Sequence, residues 1–230
     1  MQQKISIIIP TYNEATSIGK LIGYFKKHSG EQETEIIISD GESTDETVAI
    51  AEQTGVRVLI SPQKGRAAQM NYGAANSSGD ILYFVHADSF PPVSFALDIL
   101  KAVNDDNDFG RYRTKFDSNK FLLKINAWFT RFNWFICYGG DQTLFITRKL
   151  FEQSGGFKNE MLIMEEYEFA ERLMKQGRYK IFNDAALVSA RKYEGRSWLQ
   201  VQLTNRKAVK LFKKGASQEE IVSTYKKMLS

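Results

Sequence analysis

Between residues 4 and 90, short unbroken apolar runs alternate with segments whose apolar side chains recur every three or four positions. Lys4 to Ile9 is a β-branched run ended by Pro10, and Glu35 to Ser39, Val56 to Ile60 and Ile81 to Val85 are runs of similar length. Ile81 to Val85 has no polar alternation, the pattern of a strand covered on both faces in a parallel sheet. Between the strands, Ile18, Leu21, Ile22 and Phe25 fall at helical spacing. Ser43 with Glu46 has capping-box spacing and predicts a helix from there to about Thr54, stopped by Gly55. A further helix, about Arg66 to Asn76, is rich in small residues and ends at Gly79. This alternation predicts an α/β architecture.

Beyond Val85 the pattern is less regular. Pro91 and Pro92 suit a turn into the next helix. Phe109 to Phe116 alternates well enough for an exposed or antiparallel strand, and Leu144 to Thr147 and Tyr179 to Phe182 are short strand candidates. Glu165 to Gln176 reads as a helix, and Ser217 with Glu220 opens a last amphipathic helix through Ile221, Tyr225 and Met228. With no repeat, low-complexity segment or linker, residues 1–230 are expected to form one domain.

Composition narrows the class. The chain has 43% hydrophobic residues and a net charge of +4, with basic residues gathered in the last third. That tilt favours an acidic partner: a nucleotide, a phospholipid surface or a nucleic acid. The single cysteine, Cys137, excludes an internal disulfide and fits a reducing compartment. Met1 leads almost directly into a strand without a signal-like segment, and no apolar run approaches the roughly 20 residues of a membrane span. A cytoplasmic protein is expected, with the inner face of the membrane as its alternative place.

Candidate chemistry collects at strand ends. His86, Ala87 and Asp88 follow a buried strand, at the carboxyl edge where open α/β sheets bind ligands. Arg66 heads a helix, and a helix N-terminus and a guanidinium both favour a diphosphate. The chain lacks Gly-x-x-x-x-Gly-Lys-Ser/Thr, and its first turn lacks Gly-x-Gly-x-x-Gly, which argues against a P-loop NTPase or a dinucleotide oxidoreductase.

The turns read Pro10-Thr11-Tyr12-Asn13-Glu14, Ser39-Asp40-Gly41-Glu42-Ser43-Thr44-Asp45, Gly65-Arg66-Ala67-Ala68-Gln69-Met70-Asn71 and His86-Ala87-Asp88. Gly140-Asp141-Gln142, Gly155-Gly156-Phe157, Met164-Glu165-Glu166 and Ser189-Ala190-Arg191-Lys192 follow. In this order they resemble the motifs of family 2 glycosyltransferases of the A-type fold. The later ones look like the short bacterial branch labelled transferase 2, associated with radical-SAM and selenoprotein-type neighbours. The resemblance spans nearly the whole chain. It implies a Rossmann-like nucleotide-diphospho-sugar transferase fold: a central, mostly parallel mixed sheet flanked by helices.

The resemblance also implies roles. Residues 1–108 would bind a UDP- or GDP-sugar and residues 109–230 the acceptor, with no nucleic acid involved. Thr11, Glu14 and Asp40 would hold the nucleoside, Asp40 by accepting from the base; Pro10, Tyr12, Gly41, Asn71 and Ala87 belong to the same donor motifs. Asp88 takes the position of the carboxylate that binds Mg²⁺ or Mn²⁺, while His86 stands where the family has a first Asp. A neutral imidazole there could donate a hydrogen bond or favour Mn²⁺. Glu166 takes the place of the base in an inverting transfer, one methylene longer than the family's Asp. Crowding against Glu165 is expected to raise its pKa. Asp141 is the second candidate base, and Arg191 and Lys192 match a basic pair that closes over the diphosphate.

Three further readings remain. Phe121, Ile125, Trp128, Phe132 and Phe135 or Ile136 would share one face of a helix spanning Lys120 to Cys137, as core, acceptor groove or interfacial anchor for a lipid-linked acceptor. A non-catalytic nucleotide-sugar-binding or membrane-associated scaffold would also account for His86. A sugar-phosphate nucleotidyltransferase fits less well, because Thr11 to Glu14 has neither glycine nor a cation.

Overall fold

The computed structural model describes residues 3–138 and 143–229. In chain order the elements are β1 (Ile5–Thr11), α1 (Ile18–His28), β2 (Thr34–Asp40), α2 (Thr47–Gln53), β3 (Arg57–Ile60), α3 (Arg66–Ala75), β4 (Ile81–Phe84), β5 (Ser89–Phe90) and α4 (Phe95–Asn104). There follow β6 (Phe109–Phe116), α5 (Phe121–Phe129), β7 (Leu144–Thr147), α6 (Arg148–Ser154), α7 (Glu165–Leu173), β8 (Tyr179–Val188), α8 (Trp198–Lys213) and α9 (Gln218–Leu229). The strands form one sheet in the order β3-β2-β1-β4-β7-β6-β8-β5. The first four are mutually parallel; β7 runs antiparallel to both β4 and β6, and β8 runs parallel to β6. The protein is thus an α/β mixed sheet flanked by helices.

Alternate residues of the central strands feed two cores. Ile5, Ile7 and Ile9 of β1, with Tyr83 and Val85, pack against Leu21, Ile22 and Phe25 of α1 and Phe95 and Ile99 of α4. On the opposite face Ile8, Leu82 and Phe84 meet Ala67, Met70 and Ala74 of α3 and Phe169 and Leu173 of α7. The small residues of α3 are explained by closeness: a Cβ at Gly73 would lie 2.5 Å from the Ile8 side chain.

Several expectations are corrected. Strand β1 continues through Pro10 to Thr11, pairing with Ser39 and Asp40 of β2. Its pairing with β4 ends at Ile8 and Phe84, and the missing Pro10 N–H faces that side, so no ladder bond is lost. Helix α2 starts at Thr47 rather than Ser43, because the Ser43 side chain is bonded to Asp40. Asp45 receives the Thr47 N–H at 3.0 Å instead. Strand β6 is antiparallel to β7, one of the two expected alternatives, but it is not exposed: it lies between β7 and β8, and Phe109 to Tyr112 are buried. Strand β8 runs on to Val188, beyond the expected Phe182, because β6 supplies a partner along most of its length. Helix α5 stops at Phe129, where the Thr130 and Phe132 carbonyls turn to the buried Arg111 guanidinium. Its buried residue is Leu123, so the face carrying Phe121 and Trp128 points to solvent rather than into the core.

Close packing of β6 on β8 gives a test of this register. A Cβ on Gly110 would lie 2.3 Å from the Lys180 carbonyl oxygen and 2.6 Å from the Phe145 ring. Gly110→Ala should therefore cost about 1–3 kcal/mol of stability, measured by urea unfolding. A wild-type midpoint would mean that β6 and β8 are not so closely apposed.

Candidate active site

The first corner of the site is built where β1 and β2 end. Asp40 is fully buried, yet its carboxylate accepts from the Ser43 N–H at 2.7 Å, the Ser43 hydroxyl at 2.6 Å and the Thr11 hydroxyl at 2.8 Å. Buried charge is tolerable when its lone pairs are satisfied in this way. Gln69, from the second turn of α3, donates one amide group to the carbonyls of both Thr11 and Ser39, at 2.6 and 2.9 Å. The result is a rigid polar floor in which the buried Thr11 and Gly41 line the cavity, with Asp40 beneath them and the exposed Tyr12 projecting above.

The second corner lies past β4. A turn closed by the Ser89 N–H to the His86 carbonyl carries Asp88, and β5 then pairs with the end of β8. The Ser189 N–H also reaches the Asp88 carbonyl at 3.2 Å. Backbone pairing thus delivers Arg191 to the site. Its guanidinium forks onto Glu14, with Nη1 to Oε2 at 2.8 Å, and its Nε lies 3.3 Å from Asp88 Oδ2. Lys192 turns toward α8 and α9, with Nζ 3.3 Å from the Asn205 side-chain oxygen and above the Tyr225 ring.

The third corner is the N-terminus of α7. Met164 has φ of 68°, a left-handed conformation that costs a side-chain-bearing residue about 1–2 kcal/mol, and it turns the chain so that Glu165 and Glu166 open the helix. Its unpaired N–H groups favour such carboxylates. Arg66 Nη1 is 3.2 Å from Glu165 and 3.9 Å from Glu166, while His86 Nε2 is 2.8 Å from Glu166 Oε1. Burial pushes the Glu165 carboxyl above its ordinary pKa, Arg66 opposes this and the Glu166 charge adds to it. Burial pushes Glu166 the same way, but His86, by charge and hydrogen bond, and then Arg66 outweigh it and hold Glu166 below the ordinary value. This reverses the expectation from crowding: Glu165 is the carboxyl held up, and Glu166 stays ionised with Nε2 donating to it.

The three corners surround one cavity of about 1060 Å³. It is lined by Pro10, Thr11, Tyr12, Glu14, Gly41, Arg66, His86, Ala87, Asp88, Glu165, Glu166, Arg191 and Lys192, residues that the sequence pattern singled out. Asn71 is not among them. Its amide spans Phe157 N, Phe157 O and Asn159 Oδ1 at 2.7–2.9 Å, holding the Gly155-Gly156-Phe157 loop. Asp141 lies outside the described residues. Gln69 went unrecognised, although it stands inside the Gly65–Asn71 motif. The far wall, with Leu162, Ile163, Tyr167, Asn205, Val209 and Tyr225, was missed because it is assembled from three separate segments. Among the described residues no group of three or more His, Cys, Asp or Glu side chains is arranged to enclose a metal.

An open α/β sheet with acidic and basic side chains converging at the carboxyl ends of its parallel strands is the build of a nucleotide-dependent enzyme. The chain belongs to glycosyl transferase family 2, whose model matches residues 6–158. An uncharacterized glycosyltransferase of Rickettsia conorii is 36% identical over 88 residues, which is 38% of this chain and 30% of the relative. The match thus spans less than a third of that relative. Among solved structures, S. aureus TarS 1–349 in complex with UDP aligns with 98% of this chain and 70% of its own, at a TM-score of 0.69 and 16% identity. The mannosyltransferase PcManGT from Pyrobaculum calidifontis, in complex with GDP-Man and Mn²⁺, aligns with 100% of this chain and 68% of its own, at 0.68 and 15%. These likenesses establish the glycosyltransferase A-type fold.

Because Ser43 belongs to the Asp40 corner and not to a helix cap, Ser43→Ala should destabilise the protein by about 1–3 kcal/mol, the cost of removing one hydroxyl partner from a buried carboxylate. Glu46→Ala, which a capping box would make comparable, should stay within about 0.5 kcal/mol of wild type. Urea unfolding of the two variants decides between the readings; equal losses would restore the cap.

Proposed function

We propose that the protein is an inverting glycosyltransferase that moves a sugar from a UDP- or GDP-sugar to an acceptor hydroxyl, assisted by Mg²⁺ or Mn²⁺. The observation that carries this reading is the convergence of Asp88, Arg191, Arg66 and Glu166 on one cavity beside the Thr11–Gly41 floor. In this reading residues 1–108 bind the donor and residues 109–230 supply most of the acceptor side. The nucleoside lies on the floor, with the exposed Tyr12 ring as a face for the base; Asp40 shapes that floor from beneath. UDP in the TarS complex and GDP-Man in the PcManGT complex support a nucleotide-sugar donor without choosing between the two bases.

A hard divalent cation suits the donor set. The Arg191 guanidinium, itself a cation, stands between Glu14 and Asp88, and metals shared with phosphates need only one or two protein carboxylates. Asp88 would hold the metal, since His86 Nε2 is engaged by Glu166. The Mn²⁺ of the PcManGT complex supports the use of a divalent cation. When bound, the ion neutralises charge on the departing diphosphate. Arg191 and Arg66 add fixed positive charge on the same group.

Glu166 acts as the base. It accepts the acceptor hydroxyl proton as that oxygen forms its bond to the anomeric carbon, and the bond from that carbon to the diphosphate breaks on the opposite side with its electron pair. His86 orients the carboxylate, and Glu165 anchors Arg66. The acceptor, including a lipid-linked one, would approach along the wall formed by Leu162, Tyr167, Asn205 and Tyr225.

Two substitutions test these roles. Asp88→Ala should abolish metal-dependent binding of UDP- and GDP-sugars in calorimetric titration with Mn²⁺, Mg²⁺ or chelator; unchanged affinity would remove Asp88 from the site. Glu166→Gln should keep donor binding and lower transfer by about 10²–10⁴-fold, read by release of UDP or GDP in the presence of acceptor. An active Glu166→Gln enzyme would move the base to Glu165 or Asp141.

A further inference from the structure

We propose that α5, the loop after it and α8 form a docking surface for an anionic phospholipid bilayer. Seven of the thirteen large apolar side chains that are exposed among the described residues lie in residues 118–138 and 195–217. On α5 and its loop these are Phe121, 74% exposed, Trp128, 47%, and Trp134, 51%, with Leu122 and Phe129. On α8 they are Leu199, 59% exposed, and Leu203. Apolar exposure concentrated in this way marks an interaction surface rather than scattered surface residues.

Charge chooses the partner. The same two segments contain nine of the chain's 31 Lys and Arg residues and none of its 27 Asp and Glu residues. The rest of the chain is therefore net acidic, and its positive charge sits where the aromatic side chains are exposed. At about 100° per residue, Leu199, Leu203, Arg206, Lys207 and Lys210 fall on one face of α8, opposite the buried Val201, Thr204 and Ala208. On α5, Lys124 joins Phe121 and Trp128 opposite the buried Leu123, and the Arg131 guanidinium lies 4.6 Å from the Trp128 ring centre. Trp and Phe interleaved with Lys and Arg is the side-chain chemistry of the interface between headgroups and acyl chains. No described helix is long and apolar enough to cross a membrane, so the contact is with the bilayer surface.

The two helices are one body. Leu123 of α5, Val201 of α8 and Tyr193 share a small core, with Trp198 against it. Arg111 fixes the chain after α5 through the Thr130 and Phe132 carbonyls at 2.8 and 3.2 Å. The aromatic side chains are thereby held outward by a buried anchor.

Flotation of the purified protein with vesicles of phosphatidylcholine alone, and of phosphatidylcholine mixed with phosphatidylglycerol, tests the proposal without any donor or acceptor, so it stands apart from the transferase reading. Binding is expected to the mixed vesicles, to weaken with salt, and to fall at least about tenfold both for Lys207→Glu/Lys210→Glu and for Phe121→Ser/Trp128→Ser. Thermal melts should match wild type in both variants. No flotation with mixed vesicles overturns the proposal. So does undiminished flotation of the Phe121/Trp128 variant, which would leave a plain polyanion-binding surface. Concentration-dependent dimerisation abolished by Phe121→Ser/Trp128→Ser, with no vesicle binding, would assign the face to a second copy of the chain.

Discussion

The site depends on one bridge: the Arg191 guanidinium between Glu14 and Asp88, joining positions 177 residues apart in the sequence. The bridge does not create its own geometry. Arg191 is half exposed, and such ion pairs contribute about 0–1 kcal/mol. Its position comes from the sheet, where β5 pairs with the end of β8 directly after Asp88, and from the Ser189 N–H bonded to the Asp88 carbonyl. Strong backbone pairing therefore sets the place of a weak electrostatic contact. That division suits a ligand site, because the guanidinium can exchange its carboxylates for phosphate oxygens without any strand moving.

Glu165 and Glu166 show how adjacent, chemically identical groups are driven apart. Both are withdrawn from water at the start of α7, and both face Arg66. The difference is His86, which touches only Glu166 among the two. One contact thus keeps Glu166 ionised while burial lifts Glu165. A reading based on crowding alone treats the pair as symmetric. The asymmetry requires knowing that the turn after β4 and the start of α7 meet, and their residues are 80 positions apart.

The same separation explains what could be read in the chain. Ile5–Ile9 and Ile81–Phe84 were legible as buried strands because their partners impose a continuous apolar run, visible locally. The polar turns at Thr11, Asp40 and Asp88 followed from where those strands end. The length of β8 was not legible, because Asn183 and Asp184 interrupt its apolar pattern at a register shift, and the strand is carried on only by pairing that resumes with β6 at Ala185 and is joined by β5 at Leu187 and Val188. Ser43 and Glu46 had the right spacing for a cap, but a buried Asp40 three residues earlier competes for the same hydroxyl. For helix α5 the direction of the apolar face could not be read: periodicity identifies such a face, and burial depends on a neighbour. Leu123 is buried against Tyr193 and Val201, while Phe121 and Trp128 stay exposed, Trp128 packing against side chains of its own segment.

Helix α8 links the two surfaces. Asn205, Ala208 and Val209 on its inner side line the cavity, while Leu199, Leu203, Lys207 and Lys210 face outward. A helix is about 10 Å across with its side chains, so a bilayer lying on the outer face would be within one helix diameter of the cavity. An acceptor whose apolar part stays among lipid would then need only to pass its hydroxyl around α8 to reach Glu166. On this view, apolar side chains that a freely diffusing enzyme would bury would be left on the side from which such an acceptor comes.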